Sequence, residues 1–141
     1  MTEEIRNQIL HFSNSYDQFN IYNGLRVVDV DDGFCALEVE LRPESLNTWG
    51  TPHGGLLFAM ADVACGVSAV SVRLEQCVTA SASIDYLDAA LGGAGTLRAE
   101  ARVLRAGHKL CYCAAEVRDG QGKLLIRLNT TMYYMGQKLP L

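Results

Sequence analysis

Residues 54–72 read GGLLFAMADVACGVSAVSV, apolar all round except for Asp62 and a few serines. The length approaches that of a membrane span. The run is nevertheless built from Ala, Gly, Val and Ser, which are weakly hydrophobic, and a central aspartate costs roughly 2.5–3.5 kcal/mol on insertion scales. The stretch therefore reads as a buried helix of a soluble protein. A helix without a polar face has to be covered on nearly every side, so the rest of the chain must wrap it.

The flanking sequence supplies the wrapping. Ile5, Ile9 and Phe12 stand at helical spacing, which predicts a short N-terminal helix within residues 1–18. The period then changes to two. An apolar run from Leu25 to Val30 meets the turn pair Asp32-Gly33, and Phe34 to Arg42 alternates with Cys35, Leu37, Val39 and Leu41 on one face. After the helix, Val78, Ala80, Ala82, Ile84 and Tyr86 alternate with Thr79, Ser81, Ser83 and Asp85. Gly92-Gly93-Ala94-Gly95 breaks the chain before Leu97 to Val103. Ala106-Gly107 turns it into Leu110 to Arg118, and Asp119-Gly120-Gln121-Gly122 into a last strand, Leu124 to Met135. Short turns favour antiparallel pairing, because parallel neighbours need long crossovers. The expectation is an α+β fold: one curved antiparallel sheet wrapped around one long central helix, in a single domain spanning residues 1–141.

Composition narrows the function. The chain has 141 residues, of which 49% are hydrophobic and 20% charged, ordinary for a globular protein. A net charge of -4 argues against nonspecific nucleic-acid binding, which needs a cationic excess. Cys35, Cys65, Cys77, Cys111 and Cys113 are odd in number, fall in core-like stretches and form no zinc-type spacing. They indicate a reducing cytoplasm, as does the polar, mixed-charge N-terminus MTEEIRNQIL.

Chemistry concentrates in residues 46–62, LNTWGTPHGGLLFAMAD. Gly54 and Gly55 open the helix, where unpaired N–H groups and the positive dipole end suit a carbonyl oxygen that becomes an oxyanion. Asp62 sits among Ala, Met and Val, where an ionised carboxylate is costly unless it is paired or put to use. Asn47 and His53 supply polar groups able to fix a carbonyl or a water. Each also has a plainer account: a glycine pair allows tight packing, a histidine caps a helix and an asparagine makes a turn. Asp62 has the fewest such excuses. It lies eight residues beyond Gly54, roughly 12 Å along one helix. One substrate carbonyl cannot touch both within a single chain. If both act on it, they come from two subunits with antiparallel helices across a two-fold axis.

The pattern N-x-x-G-x-x-H-G-G followed by A-D at mid-helix, here Asn47, Gly50, His53, Gly54, Gly55, Ala61 and Asp62, resembles the PaaI-like branch of hotdog-fold acyl-CoA thioesterases. The likeness runs from Phe19 to Tyr134 and includes the turn DGQGKL, Asp119 to Leu124. It implies that Asp62 acts as general base or nucleophile, and that the Gly54 amide of the neighbouring subunit polarises the thioester carbonyl. Asn47 and His53 would orient the carbonyl or the water, and Thr79 would help hold the water. Gly55 would line the substrate site. Where the family carries a basic residue directly after glycine in a turn near the coenzyme A phosphates, this chain has Gly107-His108-Lys109 with Arg105 close by. Arg105 and Lys109 are thus candidate phosphate contacts or solvated surface cations. The resemblance further implies a homodimer as the active unit, pairing into a homotetramer. A thioester carbonyl is electrophilic already, so the expectation is no cofactor and no metal, with coenzyme A as part of the substrate.

Two other functions fit the same fold. Hotdog dehydratases and hydratases resemble one another in a His followed by a Phe-Pro-Gly turn, whereas His53 here precedes Gly54-Gly55. A noncatalytic acyl-CoA-binding module would have no need of Asp62. Trp49 and Phe58 suit either an acyl pocket or core packing.

Overall fold

A computed structural model describes residues 1–90 and 92–141. The chain opens with two helices rather than one. Helix α1, Glu3–Ser15, is capped by the Thr2 hydroxyl accepting from the Ile5 N–H, with Glu3 and Glu4 complementing the dipole in its first turn. Helix α2, Gln18–Asn23, is capped by Asp17 and stopped by Gly24 at φ 72°. At six residues it is too short to show a period in sequence, and all but its first residue lie beyond the lead-in expected over residues 1–18.

Strands β1, Leu25–Asp31, and β2, Phe34–Glu40, form the expected hairpin, with Gly33 at φ 69° in its turn. The central helix α3 spans Gly54–Arg73. Strands β3 (Glu75–Tyr86), β4 (Thr96–Ala106), β5 (Leu110–Arg118) and β6 (Leu124–Lys138) follow. All pairings are antiparallel in one six-stranded sheet of order β1-β2-β4-β5-β6-β3. The fold is the expected hotdog arrangement.

The core lies between the sheet and one face of α3. Leu37, Val39, Leu97, Leu125 and Leu128 pack towards Met60, Ala61, Ala64, Cys65 and Ala69. Each large side chain so buried contributes roughly 1.5–3 kcal/mol. Ala99, Ala101 and Ala115 face the alanine-rich side of the helix, and small residues on both surfaces let helix and sheet approach closely. By length and composition α3 is long and apolar enough to cross a membrane; here it lies against the sheet.

Two departures from the expected pattern bear on function. The sheet of one chain buries Leu57, Met60, Ala61, Ala64, Cys65, Ser68, Ala69 and Ser71 of α3. The opposite face, with Ala59, Asp62, Val63, Gly66, Val67 and Val70, is only half covered. Strand β3, which reads as half-buried, is instead a twelve-residue edge strand exposed along most of its length. Its alternation is also interrupted. Thr79 pairs with Met132 while Ser81 pairs with Thr131, so Ala80 is an extra residue in a β-bulge. The bulge reverses which side chains face the helix.

Candidate functional site

The bulge places Thr79. Simple alternation puts it on the face away from Ile84 and Tyr86; the extra residue brings Cys77 and Thr79 to the helix side together with Ile84 and Tyr86. The Thr79 hydroxyl donates to Asp62 Oδ1 at 2.6 Å. The Cys77 thiol points at the Gly66 carbonyl oxygen, 3.6 Å away. Asp62 is half-buried on α3, and with Thr79 holding Oδ1 its second oxygen, Oδ2, has no hydrogen-bond partner among the described residues.

Asp62 and Thr79 stand at one wall of a groove of about 650 Å³. Ile9 and Phe12 of α1, Tyr16 at its C-cap, Val63, Val67 and Val70 of α3 and Met132 of β6 also line it. Such a trough, apolar with a few polar groups, suits an acyl chain or ring. Burial pushes the Cys77 thiol, also in its lining, up to about 12. It therefore stays protonated near neutrality and serves as an apolar surface rather than a nucleophile.

The second group of candidates gathers at the start of α3. His53 is the helix cap: its Nδ1 accepts from the Gly55 N–H at 2.8 Å. The His53 carbonyl accepts from Leu56 and Leu57. Among the described residues nothing accepts from the Gly54 N–H, so one donor at the positive end of the helix is left over. At both glycines a side chain would be tight against a neighbouring side chain. A Cβ on Gly54 would lie 3.2 Å from the Tyr86 ring, and one on Gly55 3.0 Å from His53 Nδ1. The Tyr86 hydroxyl also donates to the Gly54 carbonyl at 2.9 Å, pinning the first turn. Nothing in the sequence marks Tyr86 for this role, since it reads as one more aromatic on an alternating strand.

Asn47 is taken up by the loop before the helix. Its Oδ1 accepts from the Trp49 N–H at 2.9 Å and the Thr51 N–H at 3.2 Å, while its Nδ2 donates to Thr51 Oγ1 at 3.0 Å. The carboxamide thus shapes the turn that delivers His53 and Gly54. Trp49 is exposed at 86% and Phe58 packs partly buried against the core.

The structure brings Asp62 and Thr79 together, and His53, Gly54 and Gly55 together, but keeps the two groups roughly 12 Å apart along α3. The β4–β5 turn with Lys109 docks on the far end of the helix, where Arg73 donates to the Gly107 and His108 carbonyls at 2.8 and 2.6 Å. Arg105 and Lys109 do not line the groove that holds Asp62, and Lys109 Nζ sits 5.9 Å from the Tyr133 ring centroid.

Comparison with known proteins bears on this arrangement. Residues 50–126 match the family model of the thioesterase superfamily. The acyl-coenzyme A thioesterase PaaI of Escherichia coli K12 is 30% identical over 100 residues, covering 71% of this chain and 70% of that protein. The solved structure of the E. coli PaaI protein superposes with a TM-score of 0.87 over 93% of this chain and 94% of its own, at 24% identity. A conserved protein of Pseudomonas aeruginosa is 31% identical with a TM-score of 0.79, covering 84% of this chain and 94% of that one.

Proposed function

Since the chain belongs to the thioesterase superfamily, in its PaaI-like hotdog branch, we propose that it hydrolyses acyl-coenzyme A thioesters at a site shared by two copies. The observation that carries this reading is the Asp62–Thr79 pair on the uncovered face of α3, at the head of an apolar groove. Asp62 acts as general base through Oδ2, and Thr79 holds Oδ1 and steadies the carboxylate. The water that loses its proton to Asp62 attacks the thioester carbonyl. The oxyanion so formed is met by the free Gly54 N–H of a second copy, which water-excluded surroundings strengthen. Collapse breaks the C–S bond, and the proton returns to the departing thiolate, giving free acid and coenzyme A.

A second copy supplies what one chain lacks. It covers the exposed half of α3, pairs with the open edge of β3, and brings its helix start beside Asp62. His53 and Gly55 hold the helix start in shape, and Asn47 holds the loop behind it. Arg105 and Lys109 receive the phosphates of the extended coenzyme. Coenzyme A enters as part of the substrate, and no further cofactor takes part. Leu104, Tyr112 and Tyr133, exposed on the outer face of the sheet, favour further pairing of dimers into a tetramer.

Two substitutions test the shared site. Asp62→Ala removes the base. Gly54→Pro removes the N–H: proline is tolerated at the first helical position, and His53 at φ -64°, ψ 136° already has the backbone that a residue before proline requires, while the new Cβ, 3.2 Å from the Tyr86 ring, asks that side chain to give way by a few tenths of an ångström. Each variant alone should release no thiol from a panel of aryl- and fatty-acyl-CoAs. Coexpressed, half the dimers of a random mixture are mixed, each with one intact site, and about a quarter of wild-type activity returns. No recovery from two folded variants would place the whole site in one chain. Full activity of Asp62→Ala would remove the mechanism.

A further inference from the structure

Strand β3 reaches α3 twice. The Thr79 hydroxyl donates to Asp62 Oδ1 at 2.6 Å, and the Tyr86 hydroxyl donates to the Gly54 carbonyl at 2.9 Å. The first contact serves the base. The second falls on the residue whose N–H is left free at the head of the helix, and the fold has little need of it. Tyr86 is 55% exposed, and losing one hydrogen bond from an exposed side chain changes stability little. Gly54 does need it. The first turn of a helix is the least held, because its N–H groups lack partners, and two successive glycines have the widest choice of backbone angles. His53 Nδ1 restrains the Gly55 N–H. Among the described residues, Tyr86 alone restrains Gly54 with a side-chain hydrogen bond, and its ring would lie 3.2 Å from a Cβ placed there.

We propose that Tyr86 is a positioning residue for the oxyanion donor. By holding the Gly54 carbonyl and backing the residue with its ring, it keeps the Gly54 N–H aimed at a substrate carbonyl whose base is Asp62 of a second copy. The inference rests on the shared-site reading above. A donor helps an oxyanion only if it is in place when the charge develops, so loosening it costs rate rather than substrate binding. Thr79 and Tyr86 of one strand then serve two different active sites. Tyr86 acts on the site to which its own chain lends no base.

Tyr86→Phe deletes the hydroxyl and keeps the ring. Thiol release from acyl-CoAs should show kcat lowered about five- to tenfold, with KM and the thermal midpoint little changed. An unchanged kcat overturns the proposal. Mixed oligomers then show which site suffers, because Asp62→Ala chains give no activity by themselves. Tyr86→Phe is coexpressed with a roughly tenfold excess of Asp62→Ala, so that nearly every Tyr86→Phe chain pairs with a copy whose Tyr86 is intact. Activity per Asp62-bearing chain should return to the wild-type value. Wild type is coexpressed in the same way with the double variant Asp62→Ala, Tyr86→Phe. Here activity per Asp62-bearing chain should be down about five- to tenfold, although that chain carries no substitution. Equal activities in the two mixtures mean that the hydroxyl acts through the fold, and the reverse order means that it serves Asp62 of its own chain. Either overturns the proposal. The reverse order together with failed recovery between Asp62→Ala and Gly54→Pro overturns the shared site as well. If no acyl-CoA releases thiol, the thioesterase reading falls, and a ketone analogue decides Tyr86 alone. In it a methylene replaces the thioester sulfur and the carbonyl is isotope-labelled. Its infrared stretch should drop on binding to wild type and stay near the free value with Tyr86→Phe. No drop, or a drop that survives the substitution, refutes the role.

Discussion

At the scale of the residue, the informative fact about Asp62 is its company. A carboxylate amid alanine, methionine and valine is visible in sequence as an anomaly, but the sequence does not say what holds it. The 2.6 Å bond from Thr79 does. Thr79→Val keeps the shape and deletes the donor. A hydrogen bond to a charged group is worth roughly 1.5–3 kcal/mol, so kcat should fall about 10- to 100-fold with the melting temperature little changed, since Thr79 is exposed in the single chain. Unchanged kcat would reduce the pair to packing. His53 and Asn47 illustrate the converse. Both stand in the motif, and in the structure His53 Nδ1 and Asn47 Oδ1 accept from local backbone N–H groups, bonds of the kind that a helix cap and a turn make.

At the scale of the element, β3 shows how a strand can be recognised while its faces are misread. Alternation from Val78 to Tyr86 assumes a period of two throughout. Ala80 breaks it, because two residues of β3 stand opposite one of β6 between the Thr79 and Ser81 pairs. A bulge leaves little trace in composition, so only the paired sheet reveals that Thr79 and Tyr86 share a side. Deleting Ala80 removes the extra residue and leaves Thr79 four positions from Ile84, on the same side of a regular strand. The variant should keep its far-ultraviolet circular dichroism and much of its turnover, whereas inserting one residue between Ser81 and Ile84 should turn Thr79 away from α3 and abolish turnover; full activity in a folded insertion would show that the facing of Thr79 does not matter. The central helix was more legible. Its composition announced burial, and the tertiary structure refined this to burial of one face by the chain's own sheet.

At the scale of the whole molecule, the half-covered face of α3 and the open edge strand β3 meet at the Asp62–Thr79 pair. If a second copy closes both, stability and activity are linked to association. Specific activity should fall on dilution through the dimer dissociation range, and the thermal midpoint should rise with protein concentration. Equilibrium sedimentation run in parallel would show monomer appearing over the same range. Concentration-independent activity from a sedimenting monomer would contradict the shared site.

What the sequence by itself determined was the kind of fold and the neighbourhood of the chemistry. Period-two strands around an apolar helix admit few arrangements, and a motif from Asn47 to Asp62 is local enough to be read along the chain. Tertiary structure alone decided which candidates meet. Thr79 reaches Asp62 across 17 residues of chain, Tyr86 reaches the first turn of α3 across 32, and Asn20 is enclosed with no partner for its amide oxygen among the described residues. The physical reason is range: helical and strand periods are set by neighbouring backbone, whereas these contacts depend on a bulge, a crossing and a packing depth that no local pattern encodes.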